Sequence, residues 1–141
     1  MTAREATGRG CHVADFVLDV ADLRPGVSIL VVGDDDVADV VAARVGPLAR
    51  AATLADLPRA EFDCIVTVRV PELRSAQGAR TSALADRLRA GGELWVLDEA
   101  APGESTGPRS MSVSAALSRG GFVIVDMLER APLVVVLAAA G

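Results

Sequence analysis

The stretch SILVVGDDDVADVVAARVG, residues 28–46, decides the fold class of this chain. Residues 28–32 form a run rich in β-branched side chains, which is typical of a strand buried on both faces of a parallel sheet. Gly33 and three aspartates follow, and helical spacing of apolar residues then begins at Val37. A strand, a turn and a helix in this order open a βαβ unit, so the stretch predicts an α/β fold.

Four longer segments further along the chain also have the composition of strands. They are FDCIVTVRV from residue 62, GELWVLDEA from 92, FVIVDMLE from 122 and LVVVLAA from 133. A weaker extended segment covers 50–54. Only residues 130–132 separate the last two strands, which is too short for a parallel crossover. The chain is therefore predicted to end in an antiparallel hairpin.

Three further helices are indicated by spacing. CHVADFVLDVADL, residues 11–23, is amphipathic, and residues 81–90 show helical spacing that ends at Gly91 and Gly92. A loop rich in glycine, proline and serine is predicted over 102–110. A short helix carrying Val113 and Leu117 follows this loop and stops at Gly120.

Bulk composition sets the class of protein. With 141 residues, we expect one domain over 1–141, with residues 1–10 disordered. The net charge is −5 without lysine or a basic stripe, which argues against a nucleic-acid partner. No apolar run could span a bilayer and no signal-peptide core is present, so we expect a cytoplasmic protein. Cys11 and Cys64 have no metal-ligand spacing and form no disulfide framework.

Several phrases in order resemble the core of a class I S-adenosylmethionine-dependent methyltransferase. DVADLRPGVSILVVG, residues 19–33, looks like the family's first helix end, turn and first strand. ATLADLP and EFDCIVT, residues 52–58 and 61–67, look like its third strand, acidic turn and fourth strand. LRAGGELWVLDE, residues 88–99, resembles its helix end and fifth strand, and the terminal hairpin completes the pattern. The resemblance implies a Rossmann-like, mostly parallel sheet with a C-terminal antiparallel hairpin.

Two departures from that family concern the adenosine side. The family's first loop is glycine-rich, whereas here Gly33 is followed by Asp34, Asp35 and Asp36. No space is left before residue 52 for the second strand, whose terminal acid holds the ribose hydroxyls, or for the helix after it. The resemblance therefore predicts a shortened fold that lacks one strand and one helix on the adenosine side.

The family's donor site can be carried over to the strand ends of this chain. The resemblance implies that the methyl donor S-adenosylmethionine would lie over the first loop, with its adenine beside the acidic turn and its sulfonium above the fourth strand. The residues that this placement assigns to the donor are Gly33, Asp34, Asp35, Asp56, Leu57, Thr67 and Arg69. No catalytic residue is indicated.

Simpler interpretations apply to the same acidic and basic residues. Asp34 or Asp36 could cap the helix that follows, because carboxylates satisfy free N–H groups at helix starts. Arg69 could be a surface ion-pair partner. Carboxylates at neighbouring strand ends, from 34–36 with Asp98 and Glu99, are also a hard-metal hypothesis, but their spacing matches no metal motif and no metal site is predicted.

A response-regulator receiver domain is a rival resemblance, since ILVVGDDDVADVV looks like its opening strand and acidic loop. In that family an aspartate ends the strand corresponding to FDCIVTVRV, and here the equivalent residues are Thr67, Val68 and Arg69. The missing lysine and the terminal hairpin also disfavour it.

Two functions remain open. The first is a reduced methyltransferase-like protein with weakened or lost S-adenosylmethionine binding, acting on or alongside a small-molecule pathway. The second is a non-catalytic subunit, a pseudoenzyme, that forms a homodimer or pairs with an active partner. Loss of a strand would leave an exposed sheet edge, and exposed edges need cover.

Overall fold

A computed structural model gives the fold. It describes residues 25–70, 73, 78–100, 103–130 and 133–140. The helix expected over 11–23 and the disorder expected over 1–10 lie outside these residues.

Six strands and three α-helices make up the described part of the chain. In chain order they are β1 (Ile29–Val32), α1 (Asp35–Val45), β2 (Ala49–Ala51), β3 (Phe62–Val68), α2 (Gly78–Ala85), β4 (Leu88–Glu99), α3 (Thr106–Arg119), β5 (Phe122–Arg130) and β6 (Leu133–Ala140), with a 3-10 turn at Leu54–Asp56. No helix within these described segments is long and apolar enough to cross a membrane.

The strands form one sheet in the order β2-β1-β3-β4-β6-β5. Neighbours from β2 to β4 are parallel, whereas β6 runs antiparallel to both β4 and β5. The mostly parallel α/β sheet and the terminal antiparallel hairpin are therefore confirmed. Their cause is visible in the sequence, because the central strands are apolar throughout and the last connection is too short to cross over.

Helices cover both faces of the sheet. On one face the buried side of α1, including Val37 and Val41, packs against β1, β3 and β4. On the other face Leu84 of α2 and Val113 and Leu117 of α3 pack against the opposite side of the same strands. Strands covered on both sides must be apolar at every position, which explains the fully buried pattern of β1.

The position of β2 corrects one detail of the sequence analysis. Residues 49–51 pair in parallel with β1, with Leu30 opposite Ala49 and Val32 opposite Ala51. In a doubly wound sheet the neighbour of the first strand is the second strand. The segment expected in the third-strand position thus occupies the second, and a 3-10 turn replaces a helix between it and β3. The described sheet ends at this short strand.

Two boundaries also differ from the predictions. The helix expected over 81–90 ends at Ala85, and Leu88 already pairs with Phe62 of β3, because a turn at Asp86 and Arg87 breaks the helix. The loop expected over 102–110 contains the start of α3, which begins at Thr106. Pro108 lies in the first helical turn, where a residue without an N–H group is tolerated.

Candidate functional site

Three neighbouring strands end at the same edge of the sheet and bring charged residues together there. Asp34 follows β1, Arg69 follows β3 and Glu99 ends β4. Because β1, β3 and β4 are adjacent and parallel, their carboxyl ends lie side by side. Ligands of open α/β sheets bind outside this edge, so it is the candidate functional site.

The guanidinium of Arg69 links the two carboxylates at this edge. Its Nη1 lies 3.0 Å from Oδ2 of Asp34, while Nε and Nη2 lie 3.1 and 2.7 Å from Oε1 of Glu99. All three side chains are partly exposed, with 36% for Arg69, 16% for Asp34 and 32% for Glu99. The interpretation of Arg69 as an ion-pair partner is confirmed. We call these three residues the strand-end triad.

The backbone of Arg69 is strained. Its φ angle is 52°, and among the described residues it alone combines a side chain with a left-handed backbone. This region costs a residue with a Cβ atom about 1–2 kcal/mol. The Arg69 N–H nevertheless donates to Leu97 O at 2.9 Å, so the residue still hydrogen bonds to β4. The turn aims the guanidinium back across the ends of β1 and β4.

Asp34 has two separate roles. As the N-cap of α1, it accepts the Val37 N–H on Oδ1 at 3.0 Å, while Oδ2 holds Arg69. The prediction that this aspartate caps the helix is confirmed. The carboxylate therefore joins the start of α1 to the end of β3.

Gly33 is packed closely against the end of β3. Its φ angle is 98°, and its N–H donates to Ala51 O at 3.0 Å. A Cβ atom here would lie 2.5 Å from Val68 O and 3.0 Å from Cγ2 of the buried Val70. Glycine is thus required at this position because a side chain would clash with the end of β3. Its remaining surface is exposed, so its assignment to a donor stays a prediction.

The other predicted site residues are distributed around the edge. Asp35 and Asp56 are exposed. Leu57 packs against the core beneath α2 and α3. Thr67 is fully buried, and its hydroxyl donates to Trp95 O at 3.5 Å. Of the seven residues, Asp34 and Arg69 are in direct contact, and their assignments as donor ligands remain predictions.

Three other acidic residues near this edge have partners of other kinds. Arg50 of β2 lies 3.8 Å from Oδ1 of Asp35 and 2.7 Å from Oδ1 of Asp39. The buried Asp98 accepts the Glu99 N–H at 2.8 Å. The part of the chain that the structure describes contains no group of three His, Cys, Asp or Glu side chains able to hold a metal ion.

At the opposite, amino end of the sheet lies a second set of polar contacts that the sequence did not indicate. Asp63 accepts the Ser28 N–H at 3.1 Å and pairs with Arg89 at 3.1 Å. The hydrogen bond from Ser28, followed by that from Arg89, lowers the pKa of the Asp63 carboxyl. A surface cavity of about 360 Å³ opens nearby, lined by Arg59, Ala60, Glu61, Asp86 and Arg87. It faces away from the strand-end triad.

Cys64, the next residue of β3, is held unreactive by its surroundings. Burial raises the pKa of its thiol to about 12, and the nearby carboxylates of Glu93 and Asp63 act in the same direction. The thiolate is therefore unavailable near neutral pH.

Comparison with solved structures identifies the fold. No family model and no curated protein matches the sequence. Solved structures do match, among them an S-adenosylmethionine-dependent methyltransferase from Clostridium acetobutylicum, with a TM-score of 0.67, 9% identity, 91% of this chain covered and 90% of that one. For a TehB-like S-adenosylmethionine-dependent methyltransferase from Corynebacterium glutamicum, the TM-score is 0.59 and the identity 14%, with 91% of this chain and 88% of that one covered. For a structure of the complex between the Haloferax volcanii Trm112 methyltransferase activator and a methyltransferase, the TM-score is 0.62 and the identity 11%, with 96% of this chain and 95% of that one covered.

The fold is that of a class I S-adenosylmethionine-dependent methyltransferase. The methyltransferase-like architecture that the sequence suggested is confirmed, including the terminal hairpin. In this methyltransferase fold the strand-end triad lies at the edge where open α/β sheets hold their ligands. The chemistry of the triad is that of one cation shared by two carboxylates, and none of its groups is positioned as a free nucleophile.

Proposed function

We propose that this chain is a reduced methyltransferase-like protein in which S-adenosylmethionine binding is weak or lost, and that it acts alongside a small-molecule pathway. The observation that carries the proposal is the position of Arg69 between Asp34 and Glu99, with its guanidinium 3.0 Å from one carboxylate and 2.7 Å from the other. A ligand at this edge meets groups that already have partners within the chain.

Charge disfavours the donor further. The methionine part of S-adenosylmethionine carries a carboxylate, and neutral backbone N–H groups at a helix start are what usually receive such a group. Here that helix start carries Asp34, Asp35 and Asp36, and Asp34 already occupies the Val37 N–H. The sulfonium tolerates these acids, whereas the donor's own carboxylate is repelled by them.

The ribose has also lost a partner. In dinucleotide-binding folds, an acidic residue after the second strand accepts hydrogen bonds from the ribose hydroxyls. In this chain β2 ends at Ala51, and Ala52 and Thr53 follow the strand. The Thr53 hydroxyl accepts the Ala55 N–H at 3.2 Å, and no carboxylate stands at the strand end. The residues present therefore do not fit the usual grip on adenosine.

Calorimetric titration with S-adenosylmethionine and S-adenosylhomocysteine tests this proposal. We expect no saturable heat from the wild-type protein and measurable binding in Arg69→Ala. This variant empties the space of the guanidinium and lets the Asp34 and Glu99 carboxylates receive the ammonium and ribose hydroxyls of the donor, an attraction that outweighs their repulsion of its carboxylate. Arg89→Ala is the matched control, since it removes an arginine from an aspartate at the opposite end of the sheet. Saturable micromolar binding to the wild type, unchanged in Arg69→Ala, would overturn the proposal.

A second candidate is a non-catalytic subunit that forms a homodimer or pairs with an active enzyme. The observation that favours it is the exposed apolar surface along β5, where Val123, Val125 and Met127 are 57%, 59% and 48% exposed. The structural neighbour from the activator complex supports a protein partner for proteins of this fold. Light scattering of the purified protein distinguishes a dimer from a monomer.

A further inference from the structure

The exposed apolar side chains of the described residues gather at one edge of the molecule. Large apolar residues that are at least one-third exposed are confined to β5 and the adjacent helix α3: Met111, Val123, Val125, Met127 and Leu128. The Ser114 hydroxyl of α3 lies 3.0 Å from the sulfur of Met127, which places the helix beside the strand. An outer strand that exposes several apolar side chains marks an interaction surface. We call it the β5 edge.

The two outer strands of the sheet differ in how they are protected. β2 has three residues, and its Arg50 is paired with Asp39, so this edge is short and charged. Such edges resist pairing with another strand. β5 has nine residues and exposes four large apolar side chains. An added strand is therefore expected at β5 and not at β2.

Only half of β5 is regular enough to accept a strand. The pairing with β6 shifts register between Ile124 and Asp126, and such a bulge twists an edge away from partners. From 126 to 130 the register is continuous. The Met127 N–H is capped by Oδ1 of Asp126 at 2.8 Å, so we take it to point to the free side. Because backbone groups alternate, Met127 and Glu129 offer their N–H and C=O groups there.

We infer that β5 pairs antiparallel with β5 of a second copy of this chain, about a two-fold axis through Leu128. In such a pair, residues whose backbone N–H and C=O groups point to the free side must face residues of the same kind in the other strand. The two-fold axis therefore lies at a residue and not between two residues. An axis at Glu129 would place two carboxylates opposite each other, and one at Met127 would place Asp126 opposite Leu128. The axis at Leu128 places Asp126 of each copy opposite the exposed Arg130 of the other, twice. The five N–H donors of each guanidinium allow this contact beside the one that Arg130 makes within its own chain.

This register also uses apolar contact. Leu128 would meet Leu128 of the second copy at a non-hydrogen-bonded position, where side chains approach most closely. Met127 would pair with Glu129 on the α3 side. The Asp126 carboxylate would leave the Met127 N–H for the facing guanidinium as the ladder forms. The result is a twelve-stranded sheet across two copies, which specifies the homodimer proposed above and does not depend on whether S-adenosylmethionine binds.

Charge reversal tests the register. Sedimentation velocity over a concentration series should show a reversible dimer for the wild type, and Asp126→Arg or Arg130→Asp should each weaken it about tenfold, because two attractive pairs become two repulsive ones. The double variant, Asp126→Arg with Arg130→Asp, should restore the wild-type association. Arg50→Asp at β2 is the control and should leave it unchanged.

Each outcome decides the inference. Recovery in the double variant supports it and shows that the two new residues together are compatible with folding. A monomer at every concentration overturns it, as does a dimer that is insensitive to both single reversals or one that the double variant fails to restore. Titration of the same samples with S-adenosylmethionine tests the cofactor proposal separately. The dimer inference and the cofactor proposal can therefore fail independently of each other.

Discussion

The carboxyl end of the sheet and the β5 edge are two places where strands of this fold end or lack a neighbour, and they differ in whether side chains of the same chain cover them. At the carboxyl end, Asp34, Arg69 and Glu99 satisfy one another. Along β5, Val123, Val125 and Met127 face solvent. The first region is closed by its own side chains, whereas the second keeps apolar surface without cover in the described chain. The difference is what our two proposals require, weak donor binding at the carboxyl end and association through β5.

Substitution of Gly33, which packs against the end of β3, should have the largest effect on the free energy of unfolding. Gly33→Ala should destabilise the protein by about 2–5 kcal/mol, since the new Cβ meets Val68 O and the backbone is left-handed. Gly46→Ala is the matched control, because its φ angle is 97° but nothing lies within 4 Å of the new atom. It should cost only about 1–2 kcal/mol. Urea unfolding measures both, and equal losses would mean that β3 does not press on Gly33.

The double role of Asp34 gives a smaller effect. Asp34→Ala should cost about 1–2 kcal/mol, because both the helix cap and the contact with Arg69 are lost. Asp34→Asn should cost about half as much or less, since asparagine caps helices as well as aspartate does. Thermal unfolding of the two variants separates capping from ion pairing. Equal losses in both would assign all of the effect to charge.

At the amino end of the sheet, Asp63 makes stability depend on pH. Its pKa in the folded protein is lowered from the ordinary 3.8 by the hydrogen bond from Ser28 and by Arg89. A lowered folded pKa means that its contribution is present above pH 4 and disappears as the pH falls through the folded value. Urea midpoints of wild type and Asp63→Asn should therefore converge towards pH 3. A gap that stays constant from pH 6 to pH 3 would contradict this.

The β5 edge should give the smallest effect on the fold itself. Met127→Lys places a charge on a side chain that is 48% exposed, so the unfolding free energy of the monomer should change by less than about 0.5 kcal/mol. Chemical denaturation at low protein concentration, where any dimer dissociates, measures it. A loss of several kcal/mol would show that β5 belongs to the core.

The sheet could be predicted because its signals are local. Continuous apolar runs predicted β1, β3 and β4, and the short predicted gap at 130–132 required a hairpin. The start of α3 was missed because the Pro108 region reads as a loop, and proline in a first helical turn is hard to distinguish from proline in a connection. Residues 88–90 were assigned to a helix because Leu84, Ala85 and Leu88 keep helical spacing across a turn.

The strand-end triad could be predicted only in part. Convergence of parallel strands indicated that Asp34 and Glu99 would approach each other, and they do so through Arg69. The sequence separations of 35 and 30 residues carry no pattern of their own. A basic residue after the middle one of three strands, with acids after both neighbours, was the available signal. The left-handed backbone of Arg69, which aims the guanidinium, has no counterpart in the sequence.

The shared carboxylate of Asp34 has a consequence for local motion. The Val37 amide is held by this side chain, and the Arg69 amide is held at Leu97 beneath the guanidinium that Asp34 also contacts. We therefore expect fraying of the first helical turn and release of the Arg69 amide to occur together. The two amides should exchange with deuterium at matching rates, as parts of a single unit of local unfolding.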